Sequence, residues 1–222
     1  MPVIEKSTID FLKKLKSNNN KEWFDKNRKT YETAKANFLE FTTSLIKEVE
    51  KFDRELKGIE AKKTIFRINR DIRFSKDKSP YKVNLGTGFS KGGKLDNTAG
   101  YYFHLQPGES FCAGGCYMPM PPQLSAIRQE IDYNFPAFKK MLSAKEFKKY
   151  YSNLDTIEKL KTVPKGYSAD NPALEYLKHK SFIVSKYYAD KEITSEKFLS
   201  EITNAYKALH PMVNFLNKAI TE

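Results

Sequence analysis

The sequence predicts an α+β fold, in which a central, mainly antiparallel sheet from the middle of the chain is packed by N-terminal and C-terminal helices. The evidence is periodicity: apolar residues recur every three or four positions near both ends of the chain and every second position in the middle. Short turns join the segments of period two, which favours antiparallel pairing because parallel neighbours need a long crossover. The sequence contains no linker, repeat or low-complexity segment, so we expect a single domain, residues 1–222.

The first third of the chain is predicted to be helical. Residues 7–18 begin with Ser-Thr and carry apolar side chains at helical spacing, and Asn19 followed by Glu22 is a capping signature for the next helix. That helix is expected to reach Phe52, because its apolar positions recur in steps of three or four. These positions are Tyr31, Ala34, Phe38, Phe41, Leu45, Val49 and Phe52.

Strands are expected where apolar and polar residues alternate, or where β-branched and aromatic residues cluster. The predicted strands are residues 64–68, 81–89, 101–106, 111–118 and 181–188. Helices are expected again between residues 119 and 151 and after Thr194, the predicted N-cap of the last long helix. Pro211 is expected to break or kink that helix, since proline lacks a backbone N–H group.

The composition points to a globular protein with an excess of positive charge. The chain has a formal net charge of +12, which suits anionic partners, although most lysines fall in predicted helices where solubility explains them. Two cysteines, no apolar leader and no run near ~18 apolar residues lead us to expect a cytoplasmic protein without a membrane partner. No spacing of histidine, cysteine or acidic residues predicts a metal, and none predicts a cofactor.

The segment FRINRDIRFSKDKSPYK, residues 66–82, is set apart by its arginines. It holds three of the six arginines in the chain and three lysines, which are Arg67, Arg70, Arg73, Lys76, Lys78 and Lys82. Guanidinium groups bind carboxylate and phosphate through paired hydrogen bonds. The segment therefore predicts a site for a small anion.

The same segment resembles the hallmark of an uncharacterised family of bacterial and fungal proteins, R-x-x-R-D-x-R-F-S-x-D-K-x-P-Y-K. The chain has every residue of this pattern, from Arg67 to Lys82. The resemblance continues through PPQLSAIRQEID and YLKHKSFIVSK, and so covers most of the chain. It implies a single-domain protein and supplies no activity, cofactor or catalytic residue.

Our hypothesis for this segment is a pocket for a phosphate- or carboxylate-bearing ligand. The ligand-binding residues would be Arg67, Arg70, Arg73, Lys78 and Lys82, supported by Asp71, Asp77, Ser75 and Tyr102. The alternative is a structural clasp, in which the two aspartates pair with the arginines and hold an irregular loop. The sequence leaves both interpretations open.

His104 is a weak candidate for a catalytic residue. It lies in a predicted strand with Tyr102 and Gln106 on the same face, and imidazole exchanges protons near neutral pH. A structural histidine is the competing interpretation. Whether the protein is an enzyme therefore stays open.

A nucleic-acid-binding module is the alternative function. Its support is the net charge of +12 and a set of tyrosines predicted to be exposed, which could stack on bases. These are Tyr101, Tyr102, Tyr187 and Tyr188. The sequence has no RNP, KH or zinc-finger motif, and a protein-interaction module with an aromatic surface is a third interpretation.

Overall fold

The computed structural model describes residues 2–95 and 98–221. The helices are α1 (Lys6–Ser17), α2 (Lys21–Lys26), α3 (Arg28–Glu50), α4 (Ala61–Thr64), α5 (Pro121–Tyr133), α6 (Phe135–Leu142), α7 (Lys145–Lys148), α8 (Leu174–Leu177), α9 (Asp190–Ile193) and α10 (Phe198–Thr221). The strands are β1 (Leu85–Ser90), β2 (Gly93–Lys94), β3 (Gly100–Leu105), β4 (Ser110–Cys116) and β5 (Phe182–Tyr188). These elements confirm the predicted α+β class.

The strands form one sheet in the order β2-β1-β3-β4-β5, and every neighbouring pair is antiparallel. The register places Phe103 of β3 opposite Thr87 of β1 and Cys112 of β4. Because side chains alternate along a strand, Phe103 faces the helices, whereas Tyr102 and His104 face the opposite side of the sheet.

Helices from both ends of the chain share the core beneath β3. Phe103 is fully buried, and its ring centroid lies 5.7 Å from that of Phe41 on α3 and 5.6 Å from that of Phe198 on α10. Aromatic rings at these separations add specific packing to the area they bury. One face of the sheet therefore packs against the two longest helices, α3 and α10.

The predicted strand at residues 64–68 is wrong. Thr64 ends helix α4, and Ile65 makes only an isolated bridge to Thr87. The Phe66 N–H group still donates to the Gly86 carbonyl of β1 at 2.9 Å, but the chain then leaves the sheet, and residues 68–70 pair with residues 80–82 instead. The predicted strand at residues 81–89 is accordingly shorter, since β1 begins at Leu85.

Two N-cap predictions are also wrong. The N-cap of α2 is Asn20, whose side chain accepts a hydrogen bond from the Trp23 N–H group at 2.9 Å, rather than Asn19. Thr194 is the C-cap of α9, and the last helix begins at Phe198.

Pro211 lies inside α10, which continues to Thr221. Proline costs a helix interior about 3 kcal/mol, but α10 has a continuous buried face on both sides of it, from Leu209 to Leu216. Tertiary packing of that face supplies most of the stability of such a helix, so the proline does not end it. In the described part of the chain, none of the helices has the length and apolar character that a membrane span requires.

Candidate anion-binding site

Residues 67–82 form a hairpin-like arm, which we call the arm. The Arg70 N–H group donates to the Pro80 carbonyl at 2.9 Å, and the Lys82 N–H group donates to the Ile68 carbonyl at 2.7 Å. Asn69 and Tyr81 pair as an antiparallel bridge between these two bonds. The basic residues of the segment are thus distributed over two short paired stretches and the loop that joins them, residues 71–79.

Asn19 anchors the arm to the junction between α1 and α2. Its Nδ2 group donates to the Tyr81 carbonyl at 2.8 Å, and its Oδ1 atom accepts from the Tyr81 N–H group at 3.1 Å. The Tyr81 ring stacks on Phe24 of α2, with the two centroids 3.9 Å apart. The amide side chain therefore pairs with the Tyr81 backbone as a neighbouring strand would, which explains why this asparagine is not a helix cap.

We expect the Asn19→Ala variant to loosen the arm without unfolding the protein. It removes two hydrogen bonds that together stabilise the docked arm by about 1–2 kcal/mol, so protection of the Tyr81 amide should fall by about 5–30-fold. Hydrogen exchange measured by NMR checks this. Unchanged protection at Tyr81 would show that the stacking on Phe24 alone holds the arm.

Arg70 and Asp77 form an ion pair across the loop of the arm. The Arg70 guanidinium also donates to the Ser79 Oγ atom at 2.5 Å, and Ser79 in turn donates to Asp77 through its N–H group at 2.9 Å and its hydroxyl at 2.7 Å. The guanidinium and these donors hold the pKa of Asp77 far below its usual range. The carboxylate is therefore ionised at neutral pH and orients Arg70.

The other predicted arginine-aspartate contact is confined to the surface. Arg73 binds Asp71 in bidentate fashion, with Nε 3.0 Å from one carboxylate oxygen and Nη2 2.7 Å from the other. Both side chains are exposed, and exposed pairs stabilise a fold by about 0–1 kcal/mol. Lys78 donates to the Ile72 carbonyl at 3.0 Å, and Ser75 lies 3.4 Å from the Arg70 guanidinium.

A cavity of about 420 Å³ lies between the arm and the α1–α2 junction, and we call it the arm pocket. Its lining includes three cations, Lys16, Arg70 and Lys82, together with the Asp77 carboxylate that pairs with Arg70 and the amides of Asn19 and Asn84. This volume is in the range of pockets that hold small molecules. Of the five predicted ligand-binding residues, the structure brings Arg70 and Lys82 into the pocket lining.

The remaining three predicted residues lie outside the lining of the arm pocket. Arg73 and Lys78 are occupied at the loop as described above. Arg67 is exposed, next to Lys82, and lowers the pKa of Lys82 through its charge.

Lys82 is the most unusual charge in the arm. It is half-buried, its ammonium donates to the Arg67 carbonyl at 3.0 Å, and it shares the ring of Phe66 with the ammonium of Lys94. Burial, followed by the charges of Arg67 and Lys94, lowers the pKa of Lys82. Among residues 2–95 and 98–221, none of these three cations has a carboxylate within ion-pair distance.

His104 and Tyr102 lie on the solvent-facing side of β3, outside the pocket lining. Tyr102 donates its hydroxyl to Nδ1 of His104 at 3.0 Å, and His104 Nε2 lies 3.2 Å from the Oε1 atom of Gln106. Burial lowers the pKa of His104, and burial raises the pKa of Tyr102 to about 12. The imidazole is therefore neutral at pH 7, with both ring nitrogens engaged. Asn84, 3.4 Å from Nδ1, connects this group to the pocket rim.

The aromatic surface differs from its prediction. Tyr101 and Tyr188 are buried, at 0% and 4% exposed, so the prediction that they are exposed is wrong. Tyr102 and Tyr187 alternate with them and lie on the other face of the sheet, where Tyr102 is still half-buried. Tyr187 is 70% exposed, and Phe74 at the tip of the arm is 96% exposed.

Several residues of the site are missed by sequence reasoning. Lys16, Asn19 and Asn84 line the arm pocket. Lys16 and Asn19 lie far from the arm in sequence and carry no pattern that distinguishes them from the other polar residues of a helix end. Only the docking of the arm brings them together with Arg70 and Lys82.

The model of the conserved hypothetical protein family DUF2461 matches residues 7–215. The chain belongs to this family. The match spans the arm, the sheet and most of α10, so the DUF2461 unit includes every residue of the arm pocket. No curated protein and no solved structure matches the chain.

Proposed function

We propose that this protein binds a small phosphate- or carboxylate-bearing ligand in the arm pocket. The observation that carries the proposal is Lys82, a half-buried ammonium that lies among like charges and makes its hydrogen bond to a backbone carbonyl. A charge that loses part of its hydration without gaining a counter-ion costs folding free energy. A bound anion would offset that cost, and this gives the anion its affinity.

Arg70 supports the proposal through its position as well as its charge. Asp77 and Ser79 hold the guanidinium in one orientation at the pocket wall. Because this orientation exists before a ligand arrives, little side-chain entropy is lost on binding. The clasp and the binding site are therefore compatible: the aspartate orients one arginine, while Lys82 and Lys16 have no ion pair with a described carboxylate.

Catalysis at His104 is not part of the proposal. Both of its ring nitrogens have hydrogen-bond partners on the protein, and it does not line the pocket. Binding alone accounts for the arrangement of charges.

Calorimetry with inorganic phosphate and succinate tests the proposal, with a thermal-shift assay as a second readout. We expect saturable binding of at least one of the two anions and a rise in the melting temperature, since a ligand at a hundred times its Kd stabilises the native state by about 2.7 kcal/mol. Arg73→Ala serves as the matched control, because Arg73 lies outside the pocket. Absence of binding for both anions would contradict the proposal, and so would loss of binding in the Arg73→Ala variant.

The affinity for the anion should fall as the pH rises through the lowered pKa of Lys82. The protonated ammonium is the form that attracts an anion, so affinity is fully present below that pKa and is lost above it. Because burial and the neighbouring cations lower this pKa, the loss should begin at a lower pH than it would for an ordinary lysine. Phosphate calorimetry between pH 7 and pH 10 measures it, and a profile that stays flat over that range would exclude Lys82 as a ligand-binding group.

Single-stranded nucleic acid is the second candidate ligand, favoured by Phe74. This ring is 96% exposed beside Arg73, at the tip of a loop whose lysines, Lys76 and Lys78, are also exposed. Base stacking on an aromatic side chain contributes about 1–3 kcal/mol per base, and phosphate contacts make such binding steeply salt-dependent. The arm would then bind its partner at the tip rather than in the pocket.

For this second candidate, Phe74→Ala should weaken binding of a single-stranded oligonucleotide by about 5–150-fold, the equivalent of one stacked base. Fluorescence anisotropy over a series of salt concentrations measures both the affinity and the salt slope. Equal affinity of the variant and the wild type, or a flat salt dependence, would remove nucleic acid from consideration.

We further propose that the protein works in the cytoplasm. Both of its cysteines, Cys112 and Cys116, are free and buried, and burial raises the pKa of each thiol. Free thiols are usual in a reducing compartment.

A further inference from the structure

A second cavity, of about 320 Å³, lies at the other end of the sheet from the arm pocket, and we call it the α10 pocket. It is enclosed by the turn after α3, the end of β1, the start of β3 and the last turns of α10. Its floor includes Asp53 and Tyr101, which are 5% and 0% exposed. Neither residue belongs to the site described above.

Asp53 is the acceptor in a buried hydrogen-bond network. The Tyr101 hydroxyl donates to Asp53 Oδ2 at 2.9 Å, and the Glu55 N–H group donates to Oδ1 at 3.2 Å. The Tyr101 oxygen lies 2.8 Å from Nδ1 of His210. Because the one tyrosine proton goes to the carboxylate, the hydrogen bond to His210 requires a proton on Nδ1 of the imidazole.

The same network keeps Asp53 ionised. Burial alone would raise the pKa of Asp53, but the hydrogen bonds from His210 and Tyr101 outweigh it and leave the pKa below its usual value. The nearest basic group is His210, with Nδ1 3.5 Å from the carboxylate, and an imidazole is cationic only when it is protonated. Its Nε2 atom lies 3.0 Å from the Asn214 amide, and an amide that donates there leaves the ring neutral.

A buried carboxylate at the wall of a cavity attracts a cation that can replace its lost hydration. The exposed rim of the α10 pocket carries positive charge instead and therefore attracts an anion. Lys91 and Lys218 are exposed at this rim, and Lys91 pairs with Glu55 at 2.6 Å. Such an exposed pair stabilises the fold by at most about 1 kcal/mol, so a ligand anion can compete with Glu55 for Lys91.

From this separation of charge we propose that the α10 pocket binds a small zwitterion, with a primary ammonium on Asp53 and a carboxylate at Lys91 on the rim. The ammonium has three donors, which suit the Asp53 carboxylate and the side-chain oxygens of the surrounding wall. The cavity volume is large enough for a molecule the size of an amino acid. The class of ligand is therefore a short amino acid. Its ammonium binds inside the α10 pocket, whereas the arm pocket is proposed to bind the anionic group of its ligand.

NMR titration of the ¹⁵N-labelled full chain at pH 8 with γ-aminobutyrate, butylamine and butyrate tests this inference. We expect saturable shifts of the amides around Asp53, Tyr101 and Asn217 with γ-aminobutyrate, weaker binding of butylamine, and no saturable shift there with butyrate. Absence of shifts with both ammonium compounds, or equal shifts with butyrate, would overturn the proposal.

The Asp53→Asn variant should reduce the affinity for γ-aminobutyrate by at least about tenfold, because it removes the counter-ion and keeps the shape of the side chain. Its circular dichroism and melting temperature establish that it folds. If it does not fold, Lys91→Met takes its place, since Lys91 is exposed: that variant should weaken γ-aminobutyrate by a few fold and leave butylamine unchanged. Unchanged affinity of the folded Asp53→Asn variant for γ-aminobutyrate would also overturn the proposal. An equal loss of affinity for γ-aminobutyrate and butylamine in the Lys91→Met variant would do the same.

Discussion

Replacing Lys82 with methionine is expected to weaken phosphate binding by at least about tenfold, which corresponds to about 1.4 kcal/mol. The variant removes the half-buried ammonium that lies beside Arg67 and Lys94, and it keeps most of the aliphatic length of the side chain. In the absence of phosphate the variant should be no less stable than the wild type, because the like-charge repulsion is relieved. Calorimetry gives the affinity and urea unfolding gives the stability.

Lys76→Met is the matched control for this experiment. Lys76 is exposed on the same arm and does not line the pocket, so the same loss of charge there should change phosphate affinity by less than about twofold when salt screens the surface. An equal loss in both variants would mean that the overall charge of the arm, rather than the pocket, attracts the anion. A Lys82→Met variant that loses stability together with binding would favour the purely structural clasp.

The Phe103→Ala variant should lower the free energy of unfolding by about 3–5 kcal/mol. The ring is fully buried between α3 and α10, and its removal leaves a cavity where aromatic contacts join both helices to β3. Small proteins have about 5–15 kcal/mol of stability in total, so the loss would be a large part of it. Urea denaturation followed by circular dichroism measures the change.

Phe74→Ala provides the comparison, since it removes the same ring from an exposed position. Its unfolding free energy should stay within about 0.5 kcal/mol of the wild type. A Phe103→Ala loss as small as that of Phe74→Ala would show that the N-terminal and C-terminal helices do not share one cooperative core.

Local sequence patterns predict most of the fold because each side-chain period belongs to one type of backbone. Phe38 and Phe41 fall on the apolar stripe of α3, and the alternation of Tyr101, Tyr102 and Phe103 predicts β3. The prediction fails at residues 64–68, where β-branched and aromatic residues make a strand pattern but the chain leaves β1 after residue 66 and pairs with residues 80–82. Strand propensity describes a suitable side chain and cannot show whether a partner strand is available.

The sequence predicts only part of the candidate site, because it does not show which side chains face each other after folding. Arg70 and Lys82 stand out in sequence because the segment concentrates arginine, and both line the arm pocket. Arg73 has the same local signal but is bound to Asp71 at the surface. Nothing in the sequence separates these two arginines, because the separation depends on which one faces Asn19 and Lys16 after the arm docks.

By itself, the sequence determined the α+β class, most strands and helices, and the segment that carries the cationic cluster. Those properties depend on neighbours within a few residues, so periodicity and composition are enough to predict them. Only the tertiary structure decided that Asn19 holds the arm, that α10 continues through Pro211, and that Lys82 lies among like charges. Each of these depends on groups that are distant in the chain and are brought together by burial, and the free energy of such contacts exceeds the local preferences that a sequence displays.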